Sequence, residues 1–227
     1  MLQSEEPRVA AIRQPDGPTQ RLLDRLESIP MDEGQERQSR DGSLDPALEE
    51  LRARLAADLD ALMSAVGSLA QAQADWSPAP DRWSVGEVLH HVILSNRSFA
   101  RVVAKLVERG LREGLRASPE GRRSWPRLRG IADVTASGPV RNPERVTPTH
   151  GLPVEELRRD LVESHQAVAV QVPKLAALDL AALRFPHPLG FELNLYQWTD
   201  IMGAHERRHL HQIETVLATD GYPSPKP

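Results

Sequence analysis

Cysteine is absent from this 227-residue chain, which excludes disulfides, thiolate metal ligands and a cysteine nucleophile. Aromatic residues make up only 4%, so aliphatic side chains must supply most of the packing. Positive charge is not in excess either. The 28 basic residues meet 32 acidic ones for a net charge of −4, which excludes a dominantly basic nucleic-acid binder. Of those 28, only Lys105, Lys174 and Lys226 are lysine, a bias better explained by genome composition than by function. No apolar run approaches the roughly 18 residues that a membrane helix needs. The N-terminal MLQSEEPRVA lacks the basic-then-apolar order of a signal peptide. These absences predict a soluble, cytoplasmic protein with neither nucleic acid nor membrane as partner. What is present, 40% hydrophobic residues, suffices for the core of one ordinary domain plus some excess chain.

The excess lies at the N-terminus. Residues 1–43 combine nine acidic residues and six arginines with one short apolar cluster at Leu22, Leu23 and Leu26. Such a segment buries too little apolar surface to offset its ordering entropy, and it reads as a flexible extension with at most one short helix near residues 18–29. The pattern changes at Leu44. Leu44, Leu48, Leu51, Leu55, Leu59, Leu62, Val66 and Leu69 recur at spacings of three and four, which predicts a long amphipathic helix ending near Asp75. A second helix starts at Ser84, with Glu87 completing a capping box and Trp83 and Val88 forming a hydrophobic staple, and runs to about Gly110. A third follows Pro153, carries Leu157, Leu161, Ser164, Val168, Val172 and Leu175 on one face, and should kink or end early at Pro173. A fourth spans about Leu193 to Thr219, stopped by Gly221 and Pro223. Between the second and third lie residues 111–152, with five prolines, five glycines and eight arginines. A helix of about 27 residues is roughly 40 Å long, and 42 extended residues reach well over about 100 Å. The segment can therefore cross the whole domain and set helices two and three parallel. No run alternates convincingly at period two. The fold predicted is all-α: one four-helix bundle over residues 44–220, with a tail at 221–227.

Histidine carries the chemistry. In the fourth helix Trp198, Met202, His205, His209, Gln212 and Val216 share one stripe, flanked by Ile201 and Ile213, and that stripe faces the core. Two inward histidines one turn apart can chelate one ion, because zinc–nitrogen bonds of about 2.0–2.1 Å suit that spacing. His211 lies about 200° around the helix from His209 and should point outward. In the second helix Ser84, Val88, His91, Ser95, Ser98 and Val102 form the comparable stripe, with His91 inward and His90 off to the side near Glu87 and Arg97. A lone inward histidine is usually just a hydrogen-bonded core residue. Two packed together without compensation are costly, and a third candidate on another helix favours a metal site of His91, His205 and His209. His150, His165 and His187 fall in loops or on flanks. The letters His205-Glu206-Arg207-Arg208-His209 also spell the zinc-protease helix H-E-x-x-H. Only 18 residues follow His209, and Gln212 and Thr215 stand where the extended motif needs glycine and histidine, so a protease is not the reading adopted.

Three segments, W-S-V-G-E-V-L-H-H-V at 83–92, H-P-L-G at 187–190 and H-E-R-R-H-L-H-Q-I at 205–213, resemble the DinB-like superfamily of damage-inducible bundle metalloproteins. The resemblance covers roughly residues 44–220, and the N-terminal 43 residues have no counterpart in it. It implies a divalent metal held by one histidine of the second helix and an H-x-x-x-H pair of the fourth, here His91, His205 and His209. It also implies an up-down-down-up bundle, frequent homodimers, and thiol transferases that use bacillithiol, mycothiol or glutathione.

The leading reading is therefore a metal-dependent transferase that activates a small exogenous thiol, since the chain has no thiol of its own. Arginines of the 111–152 segment, densest at Arg122, Arg123, Arg127 and Arg129, could hold carboxylates of that small-molecule substrate, although a solvated surface run explains them better. A metal hydrolase is the alternative, with Glu87 one turn before His91 as a candidate base, though capping the helix or orienting the imidazole suits it better. A non-enzymatic metal-binding stress module is the third. All-nitrogen ligands suit zinc, nickel, iron and copper alike, so the metal stays open.

Overall fold

The computed structural model describes residues 44–119, 122, 144–188 and 190–223. The N-terminal extension and most of the arginine-rich connection, including Arg123, Arg127 and Arg129, lie outside the described residues. The described chain is mostly helical, with one small two-stranded sheet, in keeping with the all-α expectation.

Helix α1 spans Pro46–Val66. The Asp45 side chain accepts the Ala47 N–H at 2.9 Å, and Pro46 occupies the first turn, where its missing N–H costs nothing. The predicted continuation to Asp75 does not occur. The helix stops at Gly67, and a short helix α2, Gln71–Asp75, starts afresh. A glycine-serine pair is poor helix interior, and the buried Arg158 guanidinium donates to the carbonyls of Val66 and Leu69, which a continuing helix would have used itself. Helix α3, Val85–Arg112, begins as read from sequence: Ser84 Oγ accepts the Glu87 N–H, and the Glu87 carboxylate accepts the Ser84 N–H.

After a single 3-10 turn at Glu144–Val146, helix α4 runs Val154–Ala169, and α5, Val172–Leu175, carries Pro173 in its first turn. The proline ends one helix and opens the next. Strands β1, Arg184–Pro186, and β2, Glu192–Asn194, pair antiparallel with Phe185 opposite Leu193. This hairpin corrects the strand-free reading; three-residue strands are too short to show alternation. Asn194 then caps helix α6, Leu195–Leu217, by accepting the Gln197 N–H at 2.9 Å.

Helix α3 packs on α4 and α6, and α1 packs on α6 and, less extensively, on α4. Their apolar faces make two clusters. One gathers Leu48, Leu51 and Leu55 with Val103, Leu106, Val168 and Tyr196. The other gathers Leu62 and Val66 with Val88, Val92, Leu157, Leu161 and Ile213. On every one of the four helices the stretch separating the clusters is polar yet buried: Asp58 on α1, Ser95 and Asn96 on α3, Ser164 and His165 on α4, Glu206 and His209 on α6. A polar layer thus divides the core. Among the described residues no helix is long and apolar enough to cross a membrane.

Candidate metal centre

The three histidines chosen by helix phase meet at the edge of this layer. His91 on α3 and His209 on α6 are buried, and His205 is partly so. Ring centroids lie 4.4 Å apart for His205 and His209, 4.8 Å for His91 and His209, and 5.2 Å for His91 and His205. One ligand atom from each falls within 4.8 Å of the other two.

Hydrogen bonds identify the nitrogens that face the centre. His91 Nδ1 sits 2.8 Å from the Val146 carbonyl oxygen, which can only accept, so Nδ1 carries the proton and Nε2 the lone pair. His209 Nδ1 lies 2.9 Å from Gln212 Oε1 and donates in the same way. His209 Nε2 then faces His205 Nε2 at 3.2 Å. Two imidazole lone pairs at that distance repel unless a proton or a cation lies between them. Outer hydrogen bonds to carbonyls that fix Nδ1–H and leave Nε2 free are the usual support of metal-binding histidines. The donor set fits a divalent ion.

Burial holds the same rings in the neutral form that a metal ion would require. It pushes His209 down to about 4, helped by the charge of His91, while the Gln212 bond opposes it. Burial also takes His205 well below its ordinary value, with His209 and His91 adding to the effect. His91 shifts down for the same first reason, against the opposing Val146 bond. Aromatic rings wall the group: Trp83 lies 5.1 Å from His91, and Phe99 meets His205 edge-on at 5.6 Å.

The other histidines separate as follows. His211 is exposed and lies 3.8 Å from Glu214. His90 turns away, its Nδ1 accepting the Thr149 N–H at 2.8 Å. His150 is in a loop 3.4 Å from Glu87, and His187 stacks on Phe191 in the hairpin connection. His165 contradicts its assignment to a loop or flank. It is buried inside α4, its Nδ1 3.0 Å from Glu206 Oε1. The α4 stripe is wider than one row, and the position beside Ser164 faces inward too. Glu87 caps α3, and the acceptor that orients His91 is the Val146 carbonyl, which no sequence pattern reveals. Gln212 was visible on the α6 stripe, and its role as the His209 acceptor follows from the i, i+3 spacing.

Glu206, the glutamate of H-E-x-x-H, is fully buried, and its carboxylate is engaged by Asn96 and His165 rather than by the three clustered histidines. The helix therefore does not present the water-activating carboxylate of a zinc protease.

The model of the DinB superfamily matches residues 54–213, a span that includes all three histidines. The chain belongs to the DinB superfamily. It is also similar to an uncharacterised protein of Bacillus subtilis, YuaE, at 25% identity over 154 residues, 65% of this chain and 85% of that relative. No solved structure matches the chain. Within this DinB chain the matched span begins inside α1 and ends in the last turns of α6, so it takes in the four long helices that build the polar layer.

Proposed function

We propose that this DinB-superfamily chain is a divalent-metal protein whose ion is held by Nε2 of His91, His205 and His209, and that it transfers a small exogenous thiol to an electrophile. The observation that carries the metal reading is the convergence of neutral imidazoles whose Nδ1 atoms, at His91 and His209, are already committed to outside acceptors. Three neutral nitrogens would leave an ion open coordination positions, the arrangement of catalytic rather than structural sites. When bound, the ion supplies the positive charge that lowers the pKa of a thiol joining it. The chain's own residues do the rest: Val146 and Gln212 fix the imidazoles, while Trp83 and Phe99 shield the site from water.

The bundle is proposed to run up-down-down-up. In support, the end containing the second apolar cluster collects the C-terminal halves of α1 and α6 with the N-terminal halves of α3 and α4. The domain is proposed to occupy residues 44–220, preceded by a dispensable extension, and to form a homodimer. Of the two carboxylates near the histidines in sequence, Glu206 is turned inward and Glu87 caps a helix, which favours thiol over water as the nucleophile.

The test is conjugation of a model electrophile by metal-loaded protein supplied in turn with bacillithiol, mycothiol and glutathione. Acceleration with one thiol, persisting below neutral pH where the uncatalysed reaction fades, is expected. No acceleration with any thiol, alongside measurable ester or amide hydrolysis, overturns the transferase and promotes the hydrolase.

A further inference from the structure

The polar layer contains a carboxylate that the proposed chemistry does not use. Glu206 is fully buried, as are Asn96 and His165. Asn96 Nδ2 on α3 donates to Glu206 Oε1 at 2.7 Å, and His165 Nδ1 on α4 lies 3.0 Å from the same oxygen and 3.1 Å from Oε2. One oxygen of α6 is thus gripped from two other helices. Arg207, the next residue, reaches the largely buried carboxylate of Asp58 on α1, so residues 206 and 207 link α6 by side-chain hydrogen bonds to each of the other three long helices. A buried polar cluster of this kind stabilises little for its desolvation cost, and apolar residues of similar volume would often do better. What it fixes is geometry, because hydrogen bonds have a direction that aliphatic packing lacks.

We propose that Glu206 is a positioning residue for the metal centre: held by Asn96 and His165, it sets the rotation of α6 that brings His205 and His209 to face His91. Both ends of the coupling sit on the same two helices. Helix α3 carries His91 and, five residues on, Asn96; helix α6 carries Glu206 between the two ligands. A side-chain nitrogen lies about 5–6 Å from its helix axis, so a rotation of about 10° carries it roughly 1 Å. Metal–nitrogen distances tolerate only about 0.2 Å. Small slips of α6 that a greasy interface would allow are therefore enough to spoil the ligand set, and the Glu206 grip opposes them.

This inference rests on the metal reading, and the experiment separates the two. Cobalt(II) is titrated into metal-free full-length protein, and its visible absorption bands, which report ligand number and geometry, are followed together with thermal melting. The variants are Glu206→Leu, Glu206→Gln and Asn96→Ala. Removal of the acceptor in Glu206→Leu should weaken cobalt binding about 10–100-fold, the usual cost of losing outer-shell support, and shift the bands at saturation. Glu206→Gln keeps an oxygen where both donors converge and should restore most of the parent spectrum. Asn96→Ala removes one arm only; it should shift the bands in the same direction by less, and it carries the test by itself if Glu206→Leu does not fold. Lowered melting temperatures with the parent's bands and affinity retained would make the cluster merely structural and overturn the proposal. Failure of the parent protein itself to bind cobalt would overturn the metal reading and this inference with it.

Discussion

On the metal reading proposed above, protons and metal compete for the same nitrogens, and the metal-free protein should reveal the proton side of that competition as acid sensitivity. His209 is held down to about 4 in the folded chain, mainly by burial, against an ordinary value near 6.5. The sign follows directly. Above pH 6.5 the ring is neutral whether the chain is folded or not, so it contributes no pH dependence. Below 6.5 the unfolded chain takes up a proton that the folded chain refuses, so stability falls, levelling off only below about 4. With those two values the loss from His209 alone is about 2 kcal/mol at pH 5 and roughly 3 kcal/mol at its limit. His205 and His91, shifted in the same direction, add to it. Urea unfolding of chelator-treated protein at pH 7.5, 6.5, 5.5 and 5.0 measures the effect, and a His209→Gln variant subtracts the carboxylates common to both. The parent should lose about 2 kcal/mol more than the variant between pH 7.5 and 5.0. Saturating metal should hold the parent's midpoint nearly flat until protons displace the ion. Parallel pH profiles for parent and variant would mean that His209 is not buried neutral, and the ligand-ready state described for the centre would be refuted.

His205→Ala or His209→Ala should abolish stoichiometric metal binding, whereas His211→Ala and His90→Ala leave it nearly intact; elemental analysis after desalting reads the difference. Gly203→Ala should destabilise the fold, because a Cβ there would stand 2.3 Å from Asp58 Oδ2 and 3.2 Å from Leu55. Overpacking of about 1–3 kcal/mol outweighs the helix-propensity gain of about 1, and Asp58→Ala in the same chain should recover part of the loss in a urea midpoint. A chain starting near Ser43 should melt cooperatively close to the full-length temperature, since residues 1–43 hold one weak apolar cluster; a large drop would move the domain boundary toward the N-terminus.

Much of what depended on contacts within one or two turns was legible in the sequence. The start of α3 could be read because Ser84 and Glu87 satisfy each other within one turn, a contact that needs no knowledge of the rest of the chain. The histidine triad could be read because helix phase puts His205 and His209 on one row and His91 on the matching row of α3. The break after Val66 could not, because it depends on Arg158, 91 residues beyond Gly67, reaching back to take the carbonyls that a longer helix would have used. The β1–β2 hairpin escaped for lack of length. The orienting carbonyl of Val146 escaped because a backbone oxygen has no sequence signature. His165 was misplaced for a different reason: a stripe drawn one row wide treats its neighbours as flanks, whereas α4 meets both α3 and α1 and buries a broader face.

That wider face changes how the H-E-x-x-H letters are understood. In a zinc protease the glutamate must share the ligand face with the two histidines. A residue one position after His205 lies about 100° around the helix, so it can serve the ligand face only if that face is open on that side. Here α3 and α4 close it: Asn96 and His165 occupy the space into which Glu206 points, and both give it a hydrogen bond. The same five letters therefore carry opposite roles according to what packs against the third side of the helix. In an exposed helix the glutamate is free to work on water. In α6, whose residues 206 and 207 are hydrogen-bonded to α1, α3 and α4, it becomes part of the frame, and any ion held by the three histidines would keep its open side for a ligand from solvent.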